Sequence, residues 1–184
     1  MRKMPRLLLA ALVVALHGCS SAPINYHTLM PAQPAARPGG VNIEIEKVLM
    51  PPQVDRAQLV VRQGDSGLAI LETEWWGANL VDEFRNALED QLGAPTGASP
   101  RAALRVEVQR FDSVPGRYAL LDTTWRLRQA GNQAALTCHS TLQAPADSSI
   151  DGLVKAHQAN LRNLARTIAQ ASAAGSTNCP APAH

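Results

Sequence analysis

Apolar and polar side chains alternate along much of the chain, which is the pattern of a β-strand with one buried face. In residues 41–48 the apolar side chains are separated by Asn42, Glu44 and Glu46. Six further stretches carry the same alternation or a short apolar run, bounded by turn-forming residues. They are residues 26–29, 58–62, 68–71, 104–111, 118–127 and 135–142. The pattern therefore predicts seven strands.

Two stretches instead place their apolar residues on one helical stripe. The first, residues 79–92, has apolar side chains at Leu80, Phe84 and Leu88 and ends at Gly93. The second, residues 150–168, begins beside Asp151, whose charge suits a helix N-terminus. The order β-β-β-β-α-β-β-β-α predicts an α+β fold. We expect an antiparallel-rich sheet of about six or seven strands with two helices packed on one face.

Residues 1–18 have the composition of an export signal. Three cations, Arg2, Lys3 and Arg6, precede an unbroken apolar run over residues 7–16. Ten residues in a helix rise about 15 Å, roughly half of the ~30 Å hydrocarbon core. The run is therefore too short for a permanent membrane span. The sequence Leu-His-Gly-Cys that follows, at residues 16–19, resembles the lipobox of bacterial lipoproteins.

The lipobox resemblance implies cleavage before Cys19, whose thiol would carry diacylglycerol and whose new amine would be acylated. No other cofactor is expected. His17 departs from the small or β-branched residue that is usual at its position, and the alternative is an ordinary secretory signal with an incidental cysteine. Ser20, rather than aspartate, follows the cysteine. By the common sorting rule this implies the outer membrane, with the protein facing the periplasm.

Loss of 18 residues from the 184 would leave 166, which is one domain's worth of chain. We expect a tether and connector at residues 19–40 with a short strand at 26–29, a single α+β domain at 41–172, and a polar tail at 173–184. The signal carries three of the 17 basic residues, so 14 basic face 15 acidic residues in the mature chain. This balance provides no electrostatic case for binding nucleic acid.

Two cysteines, Cys138 and Cys179, remain in an oxidising compartment once Cys19 carries lipid. They predict a disulfide, which would hold the polar tail against the domain. The alternative is a metal site formed by Cys138 with its neighbour His139. No spaced cluster of further ligands accompanies this pair, so no metal site is predicted.

The tetrapeptide at residues 64–67, Gly-Asp-Ser-Gly, copies the nucleophile loop of chymotrypsin-like serine proteases. A nucleophilic serine needs a base and a carboxylate that orients the base. Upstream of it the mature chain has only His27, without the motif that surrounds the catalytic histidine of that family. We interpret the tetrapeptide as a hairpin turn and predict no enzyme activity. His157, on the apolar stripe of the last helix, is interpreted as a core residue, and Arg105 and Arg126 as part of the solvent-exposed face of the sheet.

Trp75 and Trp76 are adjacent in a chain that has three tryptophans. Neighbouring side chains point in different directions, so the two indoles should occupy different environments. We expect one to pack under the first helix, against Leu80 or Phe84. The other is a candidate contact for a partner or for apolar cargo, because exposed tryptophan is favoured at contact hot spots.

Several motifs together resemble the ABC-type transport auxiliary lipoproteins. They are Cys19 and residues 26–29, 41–51, 54–62 and 74–80. Two departures are the Pro-Pro-Gln at residues 51–53 and the polar tail. The resemblance implies an outer-membrane docking partner for an inner-membrane ABC transporter with MCE-domain periplasmic proteins, moving phospholipid or another apolar molecule. The alternative is a structural lipoprotein subunit of another envelope assembly, and the gene neighbourhood would separate the two. A homo-oligomer remains open.

Overall fold

The computed structural model describes residues 22–33, 42–93, 101–131, 134–173 and 178–181. Cys19 and the predicted export signal at residues 1–18 lie outside the described residues. Seven strands and two helices occur in the described part of the chain. They are β1 (Asn25–His27), β2 (Asn42–Leu49), β3 (Gln58–Gln63), β4 (Gly67–Trp76), α1 (Leu80–Leu92), β5 (Arg101–Val114), β6 (Tyr118–Gln129), β7 (Leu136–Pro145) and α2 (Ile150–Ala173).

The strands form two mixed sheets, in which three of the five strand pairings are antiparallel. The four-stranded sheet has the order β2-β5-β6-β7, and β2 runs parallel to β5. The three-stranded sheet has the order β1-β4-β3, and β1 runs parallel to β4. The α+β class and the number of strands predicted from the sequence are confirmed. The strands are divided between two sheets, however, because β4 pairs with β1 and with β3, and neither β3 nor β4 pairs with β2.

The four-stranded sheet has one buried and one exposed face, because its apolar residues alternate with polar ones. In β5 the side chains of Leu104 and Val106 are buried, whereas Arg105 between them is exposed. Both helices cover the buried face: α2 packs against β5, β6 and β7, and α1 packs against α2 and β2. The fully buried Trp125 of β6 lies in this core. Each fully buried large apolar side chain contributes about 1.5 to 3 kcal/mol.

Local signals set the helix ends. Asp82 and Glu83 lie in the first turn of α1, where negative charge interacts favourably with the helix dipole. Gly93 ends α1 with a φ of 82°, a conformation that glycine adopts without steric cost. At the start of α2 the Ser149 hydroxyl accepts a hydrogen bond from the backbone N–H of Gly152 at 3.0 Å, the geometry of an N-cap.

An ion pair connects the two sheets. The Arg62 guanidinium of β3 donates through Nε at 3.1 Å and Nη2 at 3.0 Å to one carboxylate oxygen of Asp112 in β5. Asp112 is buried, so this forked contact also provides partners for a carboxylate that has little access to water. The turn between β3 and β4 contains the Gly-Asp-Ser-Gly sequence, and its Ser66 is exposed, as expected of a hairpin turn.

Candidate functional site

The N-terminal strand β1 is fixed to the three-stranded sheet by the carboxylate of Glu74. Asn25 Nδ2 donates to Glu74 Oε1 at 2.8 Å, and His27 Nε2 lies 2.6 Å from Glu74 Oε2. These hydrogen bonds, first from His27 and then from Asn25, lower the pKa of Glu74. The first described strand is thereby held in one register.

A second carboxylate, Glu83 in α1, holds the residues that follow β1. Its Oε2 atom accepts hydrogen bonds from the Thr28 hydroxyl at 2.8 Å and from the Leu29 backbone N–H at 2.9 Å. Glu83 is buried and the Leu29 side chain is fully buried. The residues that follow β1 are therefore part of the folded domain, and Leu29 reaches its core.

The two adjacent tryptophans occupy different environments, as the sequence predicts. Trp76 is 3% exposed, belongs to the same core as Leu80 and Phe84, and contacts Phe111 edge to face with ring centroids 6.4 Å apart. Trp75 is half-buried and meets Tyr26 edge to face at 6.4 Å. Its indole N–H donates to the carbonyl oxygen of Glu72 at 2.9 Å. Trp75 is thus the indole of the pair that is open to a contact role.

Tyr26 and Trp75 are part of an apolar surface at the N-terminal end of the fold. Tyr26 is 66% exposed and Ile24, one residue before β1, is 43% exposed. Ile24 comes two residues before Tyr26, which is the spacing at which side chains of an extended chain share one side. We refer to Ile24, Tyr26 and Trp75 as the anchor-side patch, because only six positions separate Asn25 from Cys19, the predicted site of lipidation.

A row of cations crosses the exposed face of the four-stranded sheet. Lys47 of β2 is in register with Arg105 of β5, which in turn is in register with Arg126 of β6. We call these three residues the cation row. They line a shallow depression of about 200 Å³, together with Leu49, Val106, Glu107 and Thr124.

The charge of the cation row is only partly balanced. Glu46 pairs with Arg105 at 2.7 Å and with Arg128 at 3.1 Å. The hydrogen bond from Arg105, followed by the charges of both arginines, lowers the pKa of Glu46. Neither Lys47 nor Arg126 forms an ion pair or side-chain hydrogen bond with any residue that the structure describes.

Sequence reasoning identified only part of these two surfaces. The alternation marked Arg105 and Arg126 as exposed, but the row depends on the parallel pairing of β2 with β5, which no local pattern reveals. Tyr26 was recognised as part of a strand, whereas its contact with Trp75 follows from the pairing of β1 with β4. The sequence signal for the anchor-side patch is the occurrence of Tyr26 and Trp75 in a chain with only 4% aromatic residues.

The predicted disulfide is present and joins β7 to the C-terminal residues. Cys138 and Cys179 have their Cα atoms 5.6 Å apart, within the range that disulfides require. The bond places residues 178–181 beside the sheet. Cys138 is therefore not a metal ligand, and within the described ranges no three His, Cys, Asp or Glu side chains are grouped as a metal site. Neither described helix has the length and apolar character needed to span a membrane.

The fold defines a class: small α+β domains with one sheet face under two helices and the other face open. Two solved structures share it. An uncharacterized protein matches with a TM-score of 0.65 and 19% identity, covering 81% of this chain and 98% of its own. A DUF330 protein from Xanthomonas campestris matches with a TM-score of 0.63 and 14% identity, covering 80% of this chain and 94% of its own. At these identities the likeness concerns the fold alone. A comparison with curated proteins finds no match.

The sequence profile of the ABC-type transport auxiliary lipoprotein component matches residues 27–169. The chain belongs to this family. It is an auxiliary lipoprotein component of an ABC-type transport system, and membrane anchoring follows from membership. The family is known for this transport role and not as an enzyme.

Proposed function

We propose that this lipoprotein is anchored through Cys19 in the outer membrane, on the periplasmic side, and docks an MCE-domain protein of its ABC transport system. The system would move phospholipid or another apolar molecule between membranes. Family membership supports the transport role, and Cys19 with Ser20 supports the location. The cation row carries the proposal that the open sheet face is the docking surface.

Arg105 and Arg126 repel each other in the free protein, and Glu46 offsets only part of the charge of Arg105. Like charges directly opposite each other on antiparallel strands destabilise a sheet, and Arg105 lies directly opposite Arg126. On its other side Arg105 is in register with Lys47 of the parallel strand β2. An acidic partner surface would neutralise this repulsion and gain affinity from it. Complementary charges also guide the encounter and select the partner. The open face therefore suits a protein partner that presents carboxylates.

Co-purification tests the partnership directly. The lipidated protein, expressed at its natural level, would be isolated from detergent-solubilised envelopes, and the accompanying proteins and lipids would be identified by mass spectrometry. We expect an MCE-domain protein of an ABC system together with phospholipid. Arg126→Glu should lower the recovery of that protein. Arg166→Glu makes the same charge change on exposed α2 surface, away from the sheet face, and should leave the recovery unchanged.

The alternative function, a structural subunit of another envelope assembly, predicts a different result. Recovery of envelope proteins without any transporter component would favour that alternative. Equal recovery of the MCE-domain protein with Arg126→Glu and with Arg166→Glu would keep the transport role but remove the cation row as its docking surface.

The anchor is tested separately by fractionation. Cys19→Ser removes the thiol that would accept diacylglycerol, so the variant should remain unprocessed or become soluble. The wild-type protein should sediment with outer-membrane markers in high salt, which dissociates proteins held by charge alone. A Cys19→Ser variant that still sediments with the outer membrane under these conditions would place the anchor elsewhere.

A further inference from the structure

The anchor-side patch, Ile24, Tyr26 and Trp75, is an apolar and aromatic surface placed where the lipid tether meets the folded domain. Isolated exposed apolar residues are normal on protein surfaces. Here, however, Tyr26 and Trp75 are in contact, and Tyr26 has the highest exposed fraction among the exposed large apolar residues described. The whole chain has only seven aromatic residues of the Phe, Trp and Tyr types. Two of them lie on this surface.

We propose that the anchor-side patch rests in the interfacial layer of the same bilayer that holds the Cys19 lipid. The patch would act as a second membrane contact and set the orientation of the domain. The occupant is the membrane itself, not transported cargo and not a protein partner. The proposal goes beyond the docking function and shares with it only the anchor.

The length of the tether limits the distance between the patch and the membrane. Six positions separate Cys19 from Asn25, and a fully extended chain spans about 3.3 to 3.6 Å per residue, or about 20 Å in total. The strand that follows cannot swing away, because Glu74 holds Asn25 and His27. Glu83 fixes the next residues to α1. A lipid on Cys19 therefore keeps the start of β1, and the patch beside it, close to the headgroups.

The side chains suit the interfacial layer. Tryptophan and tyrosine are enriched at membrane–water interfaces, because their rings are apolar and each carries one polar group. The indole N–H of Trp75 already donates to the Glu72 carbonyl oxygen, so the ring brings no unpaired donor into the acyl region. Ile24 adds aliphatic surface. One anchored point would leave the domain free to tilt, whereas two would hold the open sheet face in a constant direction.

Fluorescence quenching by brominated lipids tests the contact. The lipidated mature protein would be reconstituted into vesicles of phosphatidylethanolamine and phosphatidylglycerol, and the fraction that floats with the vesicles would be measured. Trp76 and Trp125 are 3% and 0% exposed, so Trp75 is the tryptophan available to a quencher. Lipids brominated high on the acyl chain should quench part of the emission. Trp75→Phe should abolish that quenching, and the matched Trp76→Phe variant should retain it.

Three results would overturn the proposal. Quenching of Trp75 by aqueous iodide but not by brominated lipid would place the patch in water. Protection from both quenchers would place the patch under a second copy of the chain or under bound cargo. A protein that does not float has no lipid anchor, and the patch then has no reason to face a bilayer. No transporter protein is present in this experiment, so its outcome is independent of whether the cation row binds an MCE-domain partner.

Discussion

The imidazole of His157 in α2 lies face to face with the phenyl ring of Phe111 in β5, with ring centroids 3.8 Å apart and 5° between the planes. Its Nε2 atom lies 2.8 Å from the Ser113 hydroxyl. His157 is 1% exposed, and burial lowers its pKa to about 3. The ring is therefore neutral at physiological pH and acts as a core residue that joins the last helix to the sheet, as the sequence predicts.

This buried histidine predicts a loss of stability in mild acid. Well above pH 6.5 the ring is neutral in both folded and unfolded chains, and its contribution is fully present. As the pH falls from 6.5 towards 3, the unfolded chain binds a proton that the folded protein excludes. The free energy of unfolding should then decrease by up to about 1.4 kcal/mol per pH unit. Urea unfolding of the mature protein between pH 7.5 and 5 would measure the slope.

Two variants separate His157 from other titrating groups. His157→Leu should lower stability at pH 7.5, because Ser113 loses its partner, but it should flatten the slope between pH 6.5 and 5. His139→Gln, which replaces a histidine whose side chain is 60% exposed, is the matched control for loss of a histidine at the surface. An unchanged slope in His157→Leu would assign the acid sensitivity to other residues.

Glu83 is predicted to be a major stabilising contact of the N-terminal segment. Glu83→Ala removes the acceptor for the Leu29 N–H and leaves a buried donor unpaired. Loss of a hydrogen bond to a charged group costs about 1.5 to 3 kcal/mol, and urea denaturation should show a decrease of this size. Glu89→Ala, in the same helix with a side chain that is 49% exposed, is the control and should change stability little. Equal effects of both variants would contradict the assignment.

The strands and helices with one buried face were the most predictable part of the fold. The alternation in β5 and the stripe in α1 each report which side chains are buried, and both were found where the sequence places them. The β3–β4 hairpin and the β5–β6 turn at Gly116, where φ is 74°, also follow from local turn chemistry. Such features depend on residues that are close in sequence.

Pairing between distant strands was not predictable in the same way. The sequence indicates a strand at residues 68–71, whereas β4 continues to Trp76. The second half of β4 pairs with β1, which lies about fifty residues earlier in the chain. Buried and exposed side chains alternate only weakly in this half of β4. The end of α2 was also underestimated, because beyond Ile168 its buried side chains are the small Ala171 and Ser172. The anchor-side patch depends on the pairing of β1 with β4, and the cation row on the pairing of β5 with β2 and β6. Sequence alone could therefore not assemble either surface.

The Cys138–Cys179 disulfide should stabilise the mature protein by limiting the unfolded chain. It joins residues 41 positions apart, for which the chain-entropy model gives about 4 kcal/mol. Replacement of both cysteines by serine should lower the free energy of unfolding by up to this amount. Thiol labelling of the denatured, unreduced protein should find no free cysteine, and two labelled thiols would show that the bond is absent.

Trp76 and Trp75 should differ in their contribution to stability. Trp76→Ala opens a cavity in the core beside Phe111 and should cost about 3 to 5 kcal/mol. Trp75→Ala removes a half-buried ring at the edge of the fold and should leave the melting temperature nearly unchanged. Thermal unfolding of the two variants side by side is the measurement. If Trp75→Ala unfolds the domain, its indole is structural and the anchor-side patch loses its main aromatic member.

Charge reversal in the cation row should have opposite effects on stability and on partner binding. Arg126→Glu replaces a like-charge neighbour of Arg105 by an opposite charge, so the free protein should gain about 0.2 to 1 kcal/mol of stability. The same variant should bind its partner less well. Arg166→Glu lies outside the row and should not stabilise the protein. Urea unfolding at low and high salt would measure the effect, and the gain should shrink in high salt because the charges are exposed. A loss of stability in Arg126→Glu would show that the row is not electrostatically unfavourable, and the argument for an acidic partner at this face would fail.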